Sequence, residues 1–359
     1  MDFGLSEEQQ QLKTSAREFL AAECPTSAVR KAMAAEDGTL PELYAQMAAL
    51  GWPGLIVPEE FGGAGLGLLD MAVLLEEQGY AAMPGPFLFS SAIAADALIR
   101  GGSGDIKRKW LRLLAEGKAV GTIAIAESGD RLATAAASGA INGGGILVPY
   151  ANLADFIVVA AQGPGRRKSI AIVETASDAV RIRPLKILDL TRRVAMVDFR
   201  DAAAVELDGG ESLYRRMLDV GAVAIAADSL GGMERALDMA VDYSKVREQF
   251  GKPIGSFQAL KHAAAEIVAD LEPARSLLWF AAYALDALPA QASRAAAMAK
   301  ARLCEVYSRG TDRAVLMHGG IGFTWEHDIH LWFKRARFNE SYLGSPAFHR
   351  ERVADLGGY

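Results

Sequence analysis

The stretch LMHGGIGFTWEHDIHLWFKRA, Leu316 to Ala336, sets two adjacent glycines among histidines and aromatic residues, then runs into a basic helical segment. Gly319 and Gly320 carry no Cβ, so a flat ligand can come close to the backbone there. His327 and His330 stand one helical turn apart, a spacing that suits a metal. No further ligand is placed by spacing, so the pair is expected to serve as a cap or surface feature, and no metal is expected. A second stretch, YSKVREQFGKPIGSFQALKHAAAEI from Tyr243 to Ile267, points to anion chemistry. One helix ends in basic residues, a Phe-Gly-Lys-Pro turn follows, and Ser256 is expected to open the next helix. Free N–H groups at a helix start attract anions, and a nearby Arg247 suits bidentate binding of a phosphate. An ordinary helical hairpin fits the same residues, and both readings stay open at this level. With only five histidines in the chain, no Ser-His-Asp arrangement can be assigned.

The elements that must position these residues follow from periodicity and punctuation. The first ~120 residues read as helical. Ser6 and Gln9 have capping-box spacing, and Leu12, Ala16, Phe19 and Leu20 then share one face. Thr39 and Glu42 repeat the box, with Pro41 in the first turn. LIVPEEFGGAGLGLLD is a loop leading to a helix from about Leu69, and it contains no dinucleotide fingerprint. The texture changes near Ala119. VGTIAIAE, GGILVPY, DFIVVAAQ, SIAIVE, VRIRPLKIL and VAMVDFRDAAAVEL are short segments between turn residues, and they predict a small antiparallel β domain. Arg166-Arg167-Lys168 after QGPG is expected at a solvated hairpin tip. From about Glu211 the chain is helical again, with breaks near FGKPIGS, LPAQ and HGGIGF. No internal repeat or low-complexity tract is found.

Composition narrows the function classes. The chain has 359 residues, 51% of them hydrophobic and 23% charged, ample for a large core in two or three domains. A net charge of −6 argues against nucleic acid or an anionic membrane as partner. Cys24 and Cys304 are far apart in sequence, so neither a disulfide framework nor a thiolate zinc site is expected, and a reducing compartment suits them. The start, MDFGLSEEQQ, does not read as a signal peptide. The longest apolar run, Val220 to Ala227, is too short to span a bilayer. A soluble, cytoplasmic protein is the expectation.

Four segments together resemble the acyl-CoA dehydrogenases. MDFGLSEEQQQLKTSAREFL resembles their first helix, and GWPGLIVPEEFGGAGL resembles the segment before their middle helices. REQFGKPIGSFQALKH and HGGIGFTWEHDIHLWFKRA are similar to their two most recognisable C-terminal motifs. The likeness covers essentially the whole chain. It implies an α+β fold with an N-terminal helical domain over 1–118, a middle antiparallel β domain over 119–208 and a C-terminal four-helix bundle over 209–359. It also implies FAD, an acyl-CoA substrate, and a dimer or tetramer. In this family FAD lies at a subunit interface, where a partner reaches over to its pyrophosphate and adenine. The resemblance gives that reaching role to Arg247, Phe250 and Gln258, with His318, Gly319 and Gly320 beside the adenine end.

The sequence departs from the family pattern in a concerted way. The family takes an α-proton with a carboxylate while FAD takes a β-hydride, and the base must suit neutral pH. The usual base position, in YLGSPAFHRERVA, holds Leu343. The alternative position, on the first helix of the C-terminal domain, falls on Gly221. Asp219 is two residues away, a rotation of about 200° that turns it aside. Pro149 stands where a flavin-binding Thr is usual, and it has neither hydroxyl nor N–H. The flavin loop shrinks to AESGD, Ala126 to Asp130. Ser345 and Ala347 replace the Thr and Gln after the base, Ala222 replaces an Arg that meets CoA, and Leu316 replaces the Gln before the glycines. The half-site that holds flavin and substrate is mostly lost, and the half-site that reaches to a partner is largely kept.

These features resemble the degenerate subunit of heterotetrameric, steroid side-chain type acyl-CoA dehydrogenases. The expected function is a subunit of an FAD-dependent enzyme that desaturates a bulky acyl-CoA thioester, with a sterol side chain as one case. This chain would lack a catalytic base and complete the FAD site of a catalytic homologue. One alternative is a self-sufficient homo-oligomer with an unusual base, for which Asp219, Asp130 and Glu340 are candidates. The other is an FAD-free scaffold of the same fold. Electron-transferring flavoprotein is the family's usual electron acceptor. Small residues at Ala295, Ala296, Ala297, Ala299 and Ala301, with Leu303, Val306, Val315 and Leu316, are expected to pack between subunits. SLLWFAAYALDAL, Ser276 to Leu288, would add apolar surface.

Overall fold

The computed structural model describes residues 4–125, 133–135, 139–163, 165 and 167–359. The element order is helical, then β, then helical, as the acyl-CoA dehydrogenase resemblance implies. By its contacts the chain divides into two compact units. One comprises Met1–Arg30, Ala72–Met83 and Ile225–Tyr359; the other comprises Lys31–Met71 and Pro84–Ala224.

Helix α1 (Glu7–Glu23) starts with the expected capping box, in which the Gln9 N–H donates to Ser6 Oγ at 3.2 Å and the Ser6 N–H donates to Gln9 Oε1 at 3.0 Å. These bonds satisfy two of the helix's orphan donors. Ala16 and Leu20 are buried on the predicted face, with Leu12 and Phe19 at its margin. After α2 (Thr26–Ala34), the second expected box does not form. Helix α3 (Pro41–Ala49) has Leu40 at its N-cap and no side-chain cap, and the Thr39 N–H donates instead to Asp37 Oδ1 at 3.1 Å. Asp37 offers the nearer acceptor, and Pro41 at N1 needs no donor satisfied. Helix α4 (Leu68–Tyr80) begins within a residue of the expected start. A fully buried π-helical stretch, Leu88–Ala94, leads into α5 (Ala95–Gly101), and α6 (Gly104–Ala115) precedes the sheet.

The β region holds β1 (Gly121–Ala124), β2 (Ala133–Ala135), β3 (Ala140–Pro149), β4 (Phe156–Gln162), β5 (Lys168–Glu174), β6 (Val180–Leu185) and β7 (Val194–Leu207). Strand β4 pairs with β2 and β5, β5 with β7, β7 with β3, and β3 with β2, so the sheet closes on itself. Closure removes the free edges of these five strands. Most pairs are antiparallel as expected, but β1 and β2 both run parallel to β4. The purely antiparallel expectation is corrected here, because β4 is reached from β1 and β2 only after β3 has turned the chain round. Every residue of β4 except its last is buried. Ile157, Val159 and Ala161 belong to the apolar cluster shared with β3, β5 and β7, and Phe156 meets Trp110 of α6 at 4.7 Å. Burial on both faces explains why DFIVVAAQ lacks alternation. Strands β4 and β5 form the basic-tipped hairpin, with Arg167 exposed at its tip, Lys168 opening β5 and Arg166 outside the described residues.

Five helices follow among the described residues: α7 (Gly210–Val246), α8 (Gln258–Ala287), α9 (Pro289–His318), α10 (Ile329–Ser341) and α11 (Pro346–Gly357). The short α11 follows these four longer helices and folds back against α9. A charge network ties α1, α4, α7 and α8 together. Glu76 and Glu77 are both fully buried; Lys13 reaches Glu76 at 2.5 Å, Arg17 pairs with Glu77, and Arg275 pairs with Glu76 and with Glu234 at 3.0 Å. Ala295, Ala296, Ala297, Ala299 and Ala301 of α9 are also buried, against helices of their own chain. This corrects their expected place between subunits. A small-residue stripe permits close approach of any helix, and here α8, α10 and α11 take it. Outward apolar residues remain at Phe280 and Tyr283, within the expected segment of α8, and at the expected Leu316 of α9, together with Val268 and Met298. No described helix is long and apolar enough to cross a membrane.

Candidate cofactor-binding site

Helix α7 ends where the Arg247 N–H donates to Tyr243 O at 2.9 Å. The chain then forms a minimal hairpin of β8 (Glu248–Gln249) and β9 (Lys252–Pro253). Its two turn residues, Phe250 and Gly251, have φ of +55° and +78°. Tight hairpins require positive φ at both positions. Glycine meets that freely, whereas a phenylalanine there costs roughly 1–2 kcal/mol. Phe250 is also 92% exposed, braced only by an edge contact to Phe257 at 6.0 Å between centroids. A strained, exposed aromatic side chain marks a surface that something else covers.

The hairpin is fastened to α7. The Ile254 N–H donates to Arg247 O at 2.8 Å, and a Cβ on Gly255 would meet Ser244 O at 2.9 Å. Ser256 does not open the next helix; it closes a 3-10 turn, and Phe257 is the N-cap of α8. No side chain caps this helix. Gln258, its first residue, is exposed. Arg247 is exposed as well, and its guanidinium has no acidic partner among the described residues. Asp242 pairs instead with Lys245, at 2.9 Å.

The second motif begins at the end of α9. His318 is buried, its Nδ1–H donating to Ala314 O at 2.6 Å, and burial holds its pKa below the usual histidine value. Its ring stacks on Tyr243 at 4.9 Å and meets His327 at 4.4 Å. Tyr243 sits one turn before Arg247, so this one ring joins the two motifs. Tyr243 thus ties the end of α7, where Arg247 follows, to the end of α9, where His318 and Gly319 lie. Its place four residues before Arg247, on the same helix side, was the available signal.

Gly319 has φ +64° and ψ −143°, a conformation in effect reserved for glycine, yet a Cβ there would meet nothing within 4 Å. Gly320 is equally unobstructed and needs no special φ. Both are exposed. The chain's own packing therefore does not call for Gly320, and the open backbone suits the approach of a flat group from outside. Among the described residues no group of His, Cys, Asp and Glu could hold a metal. His330 stacks on Trp325 at 4.6 Å, whereas His327 faces His318, so the two histidines point to different neighbours.

The expected base positions have a different character. Leu343 lies in the loop between α10 and α11, 1% exposed, with φ +57°. Its carbonyl accepts from His349 Nε2–H at 2.8 Å. Lys300, fully buried, donates to Asn339 O at 2.7 Å and Gly344 O at 3.0 Å. Gly221 and Ala222 are buried within α7, and Asp219 is 3% exposed. Pro149 ends β3, and its carbonyl accepts from Thr122 Oγ1 at 2.5 Å. Glu340 is engaged by Ser308 Oγ at 2.9 Å and by Arg337 at 3.3 Å. The AESGD loop, Asp130 included, lies outside the described residues.

Comparison with known proteins agrees with this geometry. The family model for the acyl-CoA dehydrogenase N-terminal domain matches residues 6–118, and that for the C-terminal domain matches residues 208–356. The chain belongs to the acyl-CoA dehydrogenase family. The acyl-CoA dehydrogenase IpdE2 of Mycolicibacterium smegmatis is 36% identical over 353 residues, 98% of each chain. A chain of the ChsE4-ChsE5 complex from Mycobacterium tuberculosis superposes with a TM-score of 0.93 at 28% identity, covering 100% of this chain and 99% of that one. A chain of the Tcur3481-Tcur3483 steroid acyl-CoA dehydrogenase gives 0.91 at 28% identity, covering 98% of each. Other structures of the same fold have been solved with FAD or FADH2.

Proposed function

We propose that this chain is the non-catalytic subunit of a two-component, FAD-dependent acyl-CoA dehydrogenase that introduces an α,β double bond into a bulky acyl-CoA thioester. One observation carries the proposal: Leu343 is sealed in the protein at the base position, whereas Arg247, Phe250, Gly319 and Gly320 stand open and unused by their own chain. FAD, when bound, supplies the acceptor for the substrate's β-hydride. Arg247 would hold pyrophosphate oxygens by charge-assisted hydrogen bonds. Phe250 would shield the same end from water, and Gln258 would offer a side-chain amide and a helix-start N–H. Gly319 and Gly320 would let the adenine approach the backbone, with His318 setting the end of α9. Removal of the α-proton falls to a carboxylate of the partner subunit, since an apolar Leu343 cannot accept one.

Similarity to a chain of a two-component complex and to one of a steroid acyl-CoA dehydrogenase supports both the paired assembly and the bulky substrate. The outward residues Val268, Phe280 and Tyr283 of α8 suit the contact between subunits. Residues 1–118, 119–208 and 209–359 serve as the working domain boundaries.

Co-expression with a catalytic homologue tests the reading. Light scattering and the flavin spectrum should give two copies of each chain and about two FAD, because each heterodimer builds one complete site. Four FAD per tetramer, or a yellow, active homo-oligomer of this chain alone, would overturn it.

A further inference from the structure

A separate cavity of about 240 Å³ opens among α1, the start of α2, the end of α4, α7 and α10; Arg17, Leu20, Cys24, Tyr80, Arg235 and Trp332 are part of its lining. None of these residues has a role in the FAD reading. We propose that this cavity binds a short-chain carboxylate, with its carboxylate on the Arg235 guanidinium and its alkyl part against Leu20, Cys24 and the aromatic rings.

Charge accounting singles out Arg235. Arg17 is committed to Glu77 and to Glu234 at 3.2 Å. Glu77, fully buried, is held by Arg17 and by Lys13 at 3.4 Å. Asp238, on the same helix as Arg235, accepts from the Tyr80 hydroxyl at 2.8 Å. Arg235 has no carboxylate in ion-pair range among the described residues; its one hydrogen bond is Nη1–H to Tyr80 Oη at 3.5 Å. Its guanidinium lies 5.3 Å from the Tyr80 ring centre and 5.9 Å from that of Trp332. A half-buried guanidinium braced by two rings is preorganised for a planar, bidentate acceptor.

The remaining lining is neutral or satisfied. Burial pushes the Cys24 thiol up to about 12, so it stays protonated. Trp332 Nε1–H donates to Gly79 O at 3.2 Å, leaving its ring faces for apolar contact. The space has ample room for butyrate.

Saturation-transfer NMR with butyrate, on the purified protein in the assembly in which it is isolated, tests the site without any readout from FAD. The expected result is saturable binding that weakens by about tenfold or more in Arg235→Gln. Binding should vanish in Leu20→Trp, which fills the cavity, and neither butyramide nor inorganic phosphate should compete. No saturable signal from the wild type, unchanged binding in Arg235→Gln with the fold intact, or equal competition by phosphate would each overturn the proposal.

Discussion

Two regions of the same helical unit, the loop after α10 and the corner at the ends of α7 and α9, both contain glycine, yet they are built in opposite ways. After α10, everything turns inward. Leu343 is buried, a Cβ on Gly344 would collide with Phe348 at 2.4 Å, and Lys300 and His349 bind the loop carbonyls. At the ends of α7 and α9, the key residues turn outward. Arg247 lacks an acidic partner among the described residues, Phe250 is strained and exposed, and Gly319 and Gly320 face open space. On the proposed function, the closed loop is kept as structure and the strained, open corner serves a molecule other than this chain.

The comparison breaks most readily on activity. The chain alone should show no dehydrogenation of any acyl-CoA in a dye-reduction assay, a deficit of ~10²–10⁴-fold or more against a base-bearing homologue. Leu343→Glu should not rescue it, because Pro149 and Ala222 still remove flavin and CoA contacts. Robust turnover by homogeneous wild-type protein would place a working base somewhere in this chain and end the contrast.

Stability gives the next largest effect, and it should separate the two loops. Asp228 pairs with Arg335 at 2.7 Å and accepts from Asn339 at 2.8 Å, and Asn339 lends its carbonyl to Lys300. Both members of the ion pair are buried, so Asp228→Ala strands a charge and should cost about 3–5 kcal/mol in urea unfolding. Arg247→Ala should leave unfolding nearly unchanged, yet lower FAD occupancy of the assembled complex by roughly 2–5 kcal/mol of binding. Equal FAD content in that variant would remove Arg247 from the site.

The closed loop also predicts a pH dependence. Burial pulls His349 down to about 4, well below the ordinary histidine value. Because the unfolded chain takes up the proton first, this contribution is intact above about pH 6.5 and is lost as pH falls from there toward 4. Thermal unfolding should weaken over that window by up to roughly 3 kcal/mol, and His349→Gln should flatten the profile. An unchanged slope in that variant would show that other groups set the acid limit. The smallest effects belong to the open corner. Gly319→Ala should cost about 1 kcal/mol through its positive φ. Gly320→Ala should be neutral for folding and detectable only as weaker FAD retention in the complex.

What the sequence determined by itself was whatever depends on near neighbours. The Ser6–Gln9 box, the β7 segment from Val194 to Leu207 and the breaks at the ends of α7 and α9 are local patterns, and they appear where the residues predict them. Even local signals failed where a competitor stood beside them. Asp37 captured the Thr39 N–H, and Phe257 rather than Ser256 capped α8. The open backbone at Gly319 and Gly320 could be read from the sequence, because it needs only the missing Cβ. Which face of α9 is buried could not, because alanines at close spacing suit an intrachain neighbour and a subunit interface equally well. Likewise, β1 and β2 run parallel to β4 because of how the sheet closes, not because of anything in their own residues. The Tyr243 ring joining the two motifs, the sealing of Leu343 and the setting of Arg235 against Tyr80 and Trp332 all depend on helices distant in sequence. Only the packing of those helices decides which polar group finds a partner and which is left for a ligand.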